Sequence, residues 1–330
     1  MSEALFLTSE ETAGLATPAA YVEAVRDGYR QRGEGAPAEP RQKLVGGDPP
    51  GMLTGYMAML PETGAMGGYQ YAAGFAGGDA HFALPLFDAD TGDPLALLDG
   101  AAMNPLKTGA TGAVGVDALA RADASSVAVF GSGPQARGQL SATATVRDVE
   151  TVWVFSPTKA HRERFAARMN NELDATVAAV ASPAAAIEGA DIVVTATSSS
   201  EPVFDGEQLE PGTHVTAMGQ YHPEKREVDA ETVSRARYVL DLRARAERDA
   251  GALIHAKEAG AVGADHVHAE LGDVVAGTAS GRENEDEITL FDSGGTGIET
   301  VAAAHMLYER AREEDVGEAL SFAPASEAMD

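Results

Sequence analysis

Residues 126–136 read Ser-Val-Ala-Val-Phe-Gly-Ser-Gly-Pro-Gln-Ala, an apolar run that breaks into Gly131-Ser132-Gly133-Pro134-Gln135-Ala136. Residue types at this spacing can hold a pyrophosphate. Gly131 permits a tight turn, Gly133 lets the backbone approach phosphate, and Ala136 is small enough for a helix to pack on the preceding strand. A helix expected from Gln135 to Val146 turns its free N–H groups and partial positive charge toward those phosphates. Two glycines alone are weak evidence. A strand before them and a helix after them give the pattern its meaning, and the chain is expected to hold a nicotinamide or flavin dinucleotide.

The next strand, Thr151 to Phe155, ends at Ser156-Pro157-Thr158-Lys159, with Arg162 one helical turn further on. An NAD site usually places Asp or Glu there to accept from the ribose 2′-hydroxyl. This chain has no carboxylate in that stretch until Glu163. Ser156 and Thr158 can donate to a 2′-phosphate, and Lys159 and Arg162 can supply charge. NADP(H) is therefore the preferred cofactor and NAD(H) the alternative. The competing reading makes both cations the exposed face of an amphipathic helix.

These residues need a scaffold. From about 118 to 300 strand and helix patterns alternate, with strands expected at 126–130, 151–155, 176–180, 191–196, 213–218, 237–241 and 287–291. Helices are expected near 135–146, 158–173, 183–188 and 229–235. The alternation predicts an α/β fold, a doubly wound Rossmann dinucleotide-binding domain over 118–300. Residues 1–117 read as a smaller α+β domain for substrate binding and dimerisation. Its clearest helix is Thr17 to Arg32, with Thr17 as N-cap and Pro18 at the first helical position. Strands are expected at 52–59, 69–75 and 83–87, a turn at Asp90 to Pro94, and a small-residue helix from Gly112 to Ala122. Ile298, Val301, Ala302, His305 and Tyr308 follow helical spacing, so residues 301–330 are expected to return to the first domain. The acidic segment Glu283 to Glu287 reads as a solvated loop.

Composition narrows the partners. The formal charge of −27, from 51 acidic and 24 basic residues, repels nucleic acid and anionic membranes, and neither is expected as a partner. No apolar run approaches the ~20 residues of a membrane span. The opening MSEALFLTSEETAG lacks a basic region and a cleavable apolar segment, so no secretory signal and a cytoplasmic location are expected. The absence of cysteine excludes disulfides and thiolate chemistry, and no metal site is predicted. Many carboxylates with only five lysines (Lys43, Lys107, Lys159, Lys225, Lys257) suit a surface that stays hydrated in concentrated salt, which points to a halophilic source.

Several stretches together resemble the ornithine cyclodeaminase/mu-crystallin family, which includes archaeal alanine dehydrogenase and ketimine reductases. They are FDADTGDPLALLDG (87–100), LKTGATGAVG (106–115), the glycine fingerprint, ADIVVTATSSSEPVF (190–204), PGTHVTAMGQYHPEKREVD (211–229) and ITLFDSGGTGIETVAAAHMLYERA (288–311). The resemblance implies a homodimer whose first domains build an intersubunit barrel, with a small amino, imino or keto acid bound between the two domains. It assigns Arg41 to the substrate carboxylate, where a planar guanidinium can pair bidentately. It assigns Thr108, Gln135, Thr197, Ala217, Met218, Gly219, Lys225 and Ser293 to the dinucleotide.

Three positions depart from the family pattern. Lys107 stands where the family usually has a second carboxylate-binding arginine. Tyr69 takes the place of the active-site lysine. Tyr221, in Gly219-Gln220-Tyr221-His222-Pro223-Glu224-Lys225, takes the place of the acid used by cyclodeaminases and alanine dehydrogenase. The resemblance then implies NAD(P)(H)-dependent oxidoreduction between a small 2-amino acid and its imine or keto acid. Arg41 and Lys107 would hold the carboxylate, and Tyr221, Tyr69 or His222 would manage the proton. A cyclodeaminase-type lyase with bound NAD and a non-catalytic binder of NADP and ligand are the alternatives.

Overall fold

The computed structural model describes residues 2–48, 50–75 and 78–327. Its strands fall into two sheets, and its contacts group the chain into two units. One runs to Lys107 and resumes at Thr296; the other is Thr108–Gly295.

The second unit carries the eight-stranded sheet, built from β7 (Ser126–Phe130), β8 (Thr151–Phe155), β9 (Thr176–Ala179), β10 (Ile192–Thr195), β11 (His214–Ala217), β12 (Ala236–Leu240), β13 (Val267–Glu270) and β14 (Ile288–Asp292). Their spatial order is β13-β12-β14-β11-β10-β7-β8-β9, and every pairing is parallel. The central strands are buried on both faces, so they read as continuous apolar runs such as Val127–Phe130 and Ile192–Val194. From β7 the chain winds outward through β8 and β9, then returns to β10 on the other side of β7. That reversal opens a crevice at the carboxyl ends of β7 and β10, where doubly wound sheets bind ligands.

Seven strands of this sheet lie where the sequence predicts them, within one residue at most ends. The sequence reading missed β13 and the helix Gly251–Glu258. It also started the helix after the first domain too late: the helix runs Met103–Leu119, not from Gly112 to Ala122. Glycines at 109, 112 and 115 argue against a helix by propensity, but close packing requires them. A Cβ on Gly109 would stand 2.2 Å from the Gly138 carbonyl oxygen, and one on Gly112 1.9 Å from Gln139 Oε1. The segment Glu283 to Glu287 is more than a solvated loop, since Glu283 and Glu287 both pair with Arg237, at 2.6 and 2.7 Å.

The first unit holds a seven-stranded sheet of β1 (Ser2–Leu7), β2 (Gln42–Gly46), β3 (Gly51–Leu60), β4 (Ala65–Ala73), β5 (His81–Asp88), β6 (Pro94–Asp99) and β15 (Glu318–Phe322). The order is β15-β1-β6-β5-β4-β3-β2. The predicted turn at Asp90 to Pro94 joins β5 to β6: Asp88 Oδ1 accepts from the Asp90 and Thr91 N–H groups, and Gly92 has φ +77°. The helix Pro18–Gly33 starts with Thr17 capping the Ala20 N–H, and the closing helix Gly297–Glu313 packs across it. A Cβ on Gly28 would stand 3.1 Å from the Ala302 Cβ. Among the described residues, no helix is long and apolar enough to cross a membrane.

Candidate dinucleotide site and buried polar cluster

The glycine turn leaves β7 at the crevice. Gly131 has φ +120°, and a Cβ there would stand 2.4 Å from the Ala196 carbonyl oxygen, so both backbone and space demand glycine. Gly133 differs. Its backbone is ordinary extended chain, and among the described residues nothing beyond its chain neighbours lies within 4 Å of where its Cβ would be. The fold therefore gives no reason for a glycine at 133, whereas a closely approaching ligand would.

Gly133 caps the helix Pro134–Thr143 without a side-chain hydrogen bond, leaving the first-turn N–H groups for an anion. Ala136 is fully buried against the sheet. Gln135 Oε1 is buried with no hydrogen-bond partner among the described residues, an orphaned acceptor that a bound group could satisfy. These features fit a dinucleotide pyrophosphate.

At the end of β8, Ser156 is nearly buried and its Oγ accepts from Ser132 Oγ at 3.0 Å. Arg162 Nη1 donates to the Ser156 carbonyl at 2.8 Å, which fixes the turn and brings the guanidinium to it. Thr158 is the N-cap of the helix Lys159–Glu172, and its exposed hydroxyl makes no capping bond. Lys159 is exposed, 3.6 Å from Glu163. The edge is thus cationic and hydroxyl-rich.

Ala217 is the last residue of β11, and Thr197, Met218, Gly219 and Ser293 follow the carboxyl ends of β10, β11 and β14, along the same edge of the sheet as the glycine turn. Thr108 lies on the helix Met103–Leu119, where its carbonyl accepts from Gln139 Nε2 at 2.8 Å; that nitrogen also lies 2.9 Å from Met218 Sδ.

Sequence reading missed Glu227, which is 3% exposed. Its Oε1 accepts from the Thr197 N–H at 2.6 Å, and its Oε2 accepts from the Gly219 N–H at 2.6 Å and from Thr195 Oγ1 at 3.0 Å. Burial pushes this carboxyl above its ordinary value, and the hydrogen bonds only partly offset it.

Also missed was a buried network beyond β12 and β14. Arg245 pairs with Asp241 at 2.8 Å, Asp292 at 2.7 Å and Asp249 at 3.3 Å, and Tyr238 donates to Asp292. Asp241 Oδ2 accepts from Ser293 Oγ and from the Gly294 N–H, both at 2.8 Å. Tyr221 adjoins this loop: a Cβ on Gly294 would stand 3.2 Å from the Tyr221 Cβ and 3.2 Å from Arg245 Nη1. His222 is exposed, and its Nδ1 accepts from the Glu224 N–H at 3.2 Å. Lys225 is exposed on the same loop. The four-residue spacing of Asp241, Arg245 and Asp249 was a visible signal for the network; nothing comparable marked Glu227.

In the first unit, Arg41, Tyr69 and Lys107 come together in a buried polar cluster. The Arg41 guanidinium lies 4.5 Å from the Tyr56 ring centroid and donates to the Tyr71 hydroxyl. Lys107 Nζ sits 3.1 Å from Glu299 Oε1, 3.4 Å from the Tyr56 hydroxyl, and 5.4 Å from the Tyr69 ring centroid. Burial works against the Lys107 charge, but Tyr56 and Glu299 override it and hold the ammonium above its ordinary value.

Tyr69 is wholly buried and donates to the Gly100 carbonyl at 2.9 Å, and burial raises its phenol well above the usual value. Lys107, expected beside the substrate carboxylate, is paired here with Glu299. Glu299 was legible as the third helical residue of a Thr-x-x-Glu capping box starting at Thr296.

The chain is 36% identical over 238 residues to a delta(1)-pyrroline-2-carboxylate reductase of Bacillus cereus, covering 72% of this chain and 73% of that one. Among solved structures it resembles the delta(1)-pyrroline-2-carboxylate reductase of Thermococcus litoralis in complex with NADH and L-proline. That likeness has a TM-score of 0.90 and 31% identity over 95% of this chain and 99% of the other. An archaeal alanine dehydrogenase dimer with bound NAD also has a TM-score of 0.90, at 31% identity over 97% of this chain and 100% of the other. A family model matches residues 5–315, nearly the full length. With the parallel sheet, the glycine turn and the crevice in place, the chain belongs to the ornithine cyclodeaminase/mu-crystallin family.

Proposed function

We propose that this protein is an NAD(P)(H)-dependent oxidoreductase that interconverts a small 2-amino acid and its imine or keto acid. The observation that carries the reading is the turn at Gly131-Ser132-Gly133, where glycine at 133 is unexplained by the fold and fits a pyrophosphate. The relatives that act on imines and amino acids supply the reaction class. When bound, the nicotinamide ring supplies or accepts the hydride. Arg41 holds the substrate carboxylate, and Tyr221 or His222 handles the proton. Fluorescence titration with dinucleotide, then turnover with cyclic imines and with pyruvate plus ammonia, tests the reading. Binding without any turnover would identify a ligand binder instead, and ammonia release from ornithine without net cofactor change would identify a lyase.

NADPH is preferred over NADH, supported by Ser156, Thr158, Lys159 and Arg162 in place of an acidic ribose clamp. The protein is a cytoplasmic homodimer. Leu44 and Val45 on edge strand β2 are 72% and 77% exposed, an apolar edge that soluble monomers rarely leave uncovered; light scattering tests it. The acidic, lysine-poor surface suits concentrated salt.

A further inference from the structure

Glu227 belongs to the buried groups that the proposed chemistry does not use. Its carboxylate joins two loops that leave adjacent strands at the crevice: residue 197 follows β10 and residue 219 follows β11. The joint is tight. A Cβ on Gly219 would stand 2.4 Å from Glu227 Oε1 and 2.4 Å from the Thr197 carbonyl oxygen. Gln220 Nε2 adds a second tie, donating to that carbonyl at 3.1 Å. The tied loop is also the one on which the glycine turn rests, because Gly131 abuts the carbonyl of Ala196. Glu227 is itself anchored, its backbone carbonyl accepting from the Val203 N–H at 2.8 Å.

We infer that Glu227 is a positioning residue of the dinucleotide site, whose carboxylate sets the loops at 196–199 and 218–220 in the geometry the cofactor requires. The inference rests on the dinucleotide reading above. The chemistry calls for a carboxylate: two backbone N–H groups and a hydroxyl converge on two oxygens, and only an ionised carboxyl accepts on both. Glutamine keeps the shape but turns an amide N–H₂ toward one of those donors, releasing one loop.

The test measures binding rather than turnover. NADPH and NADH are titrated into the full chain, the Glu227→Gln variant and the Thr195→Val variant, with hydrogen exchange followed in peptides covering 195–199 and 217–220. Glu227→Gln should weaken both dinucleotides ~10–100-fold without changing their ratio, and should speed exchange in those peptides while the fold stays intact by circular dichroism. Thr195→Val, which removes one donor of three, should weaken both ~2–5-fold. A folded Glu227→Gln protein that binds NADPH within twofold of the parent overturns the inference. If that variant does not fold, unchanged affinity in Thr195→Val overturns it. A parent protein that binds neither dinucleotide is a different failure: it removes the functional reading and this inference with it.

Discussion

Lys107 Nζ lies 3.1 Å from Glu299 Oε1, with both side chains at most 2% exposed. Glu299 also accepts from the Thr296 N–H and hydroxyl, and from the Tyr29 hydroxyl at 3.3 Å. The carboxylate therefore caps the helix Gly297–Glu313 and neutralises the lysine at once. Removing one partner strands the other charge in the interior, which typically costs about 3–5 kcal/mol, whereas replacing both by apolar groups of similar volume is often neutral. Lys107→Met should lower stability by that amount in urea unfolding, and Lys107→Met with Glu299→Leu should recover part of it. An unaltered single variant would show that the pair carries little stability.

Cofactor choice turns on the end of β8. Lys159→Ala should weaken NADPH by ~1.5–3 kcal/mol and leave NADH nearly unchanged, the loss expected for a hydrogen bond to a charged group. Ser156→Asp should reverse the preference, because a carboxylate there accepts from a 2′-hydroxyl and repels a 2′-phosphate. Paired fluorescence titrations read both effects, and tighter NADH binding by the parent protein would sink the idea.

How far these features could be read from sequence depended on how local their causes are. The glycine turn and the buried strands declare themselves within a few residues, because one strand and one helix set the period on either side. The helix Met103–Leu119 was harder, since its glycines look like breaks until Gly138 and Gln139 are seen against them. Strands β1 and β15 pair Ser2 with Phe322, a partnership no local pattern announces. Glu227 was invisible because its role exists only when segments around 195, 197 and 219 converge on it.

His214 offers a pH test. It is wholly buried, its ring nitrogens lie 2.9 Å from the Thr289 and Thr216 hydroxyls, and burial with Arg282 and Arg147 nearby lowers its pKa to about 3. Between pH 6.5 and about 3 the unfolded chain takes up a proton that the folded chain refuses, so stability falls as pH falls through that window. From pH 6.5 to 5 this one residue should remove about 1.5 kcal/mol. His214→Gln should flatten the curve by that amount in urea melts at the two pH values; identical slopes would contradict the argument.

Salt should strengthen the fold. With a formal charge of −27, self-repulsion opposes the compact state in dilute buffer and is screened within ~3 Å at molar ionic strength. Melting temperature should rise along a KCl series, and a flat or falling curve would remove the salt-adapted reading.

The sharpest expectation concerns Tyr221. Cyclodeaminase chemistry needs a carboxylate beside the reacting amine, to accept a proton and to stabilise the iminium charge. Tyr221 puts a phenol hydroxyl, and no carboxylate, at that position. Arg245, whose guanidinium lies beside the Tyr221 loop, is already bound by Asp241, Asp249 and Asp292, three carboxylates to one guanidinium. Imine reduction asks less, because a neutral hydroxyl can donate the proton. Tyr221→Phe should therefore lower kcat ~10²–10⁴-fold with dinucleotide affinity unchanged, and the parent protein should release no ammonia from ornithine. Full activity in Tyr221→Phe would pass the proton to His222, which a His222→Gln variant would then reveal, and steady proline formation from ornithine would refute the mechanism.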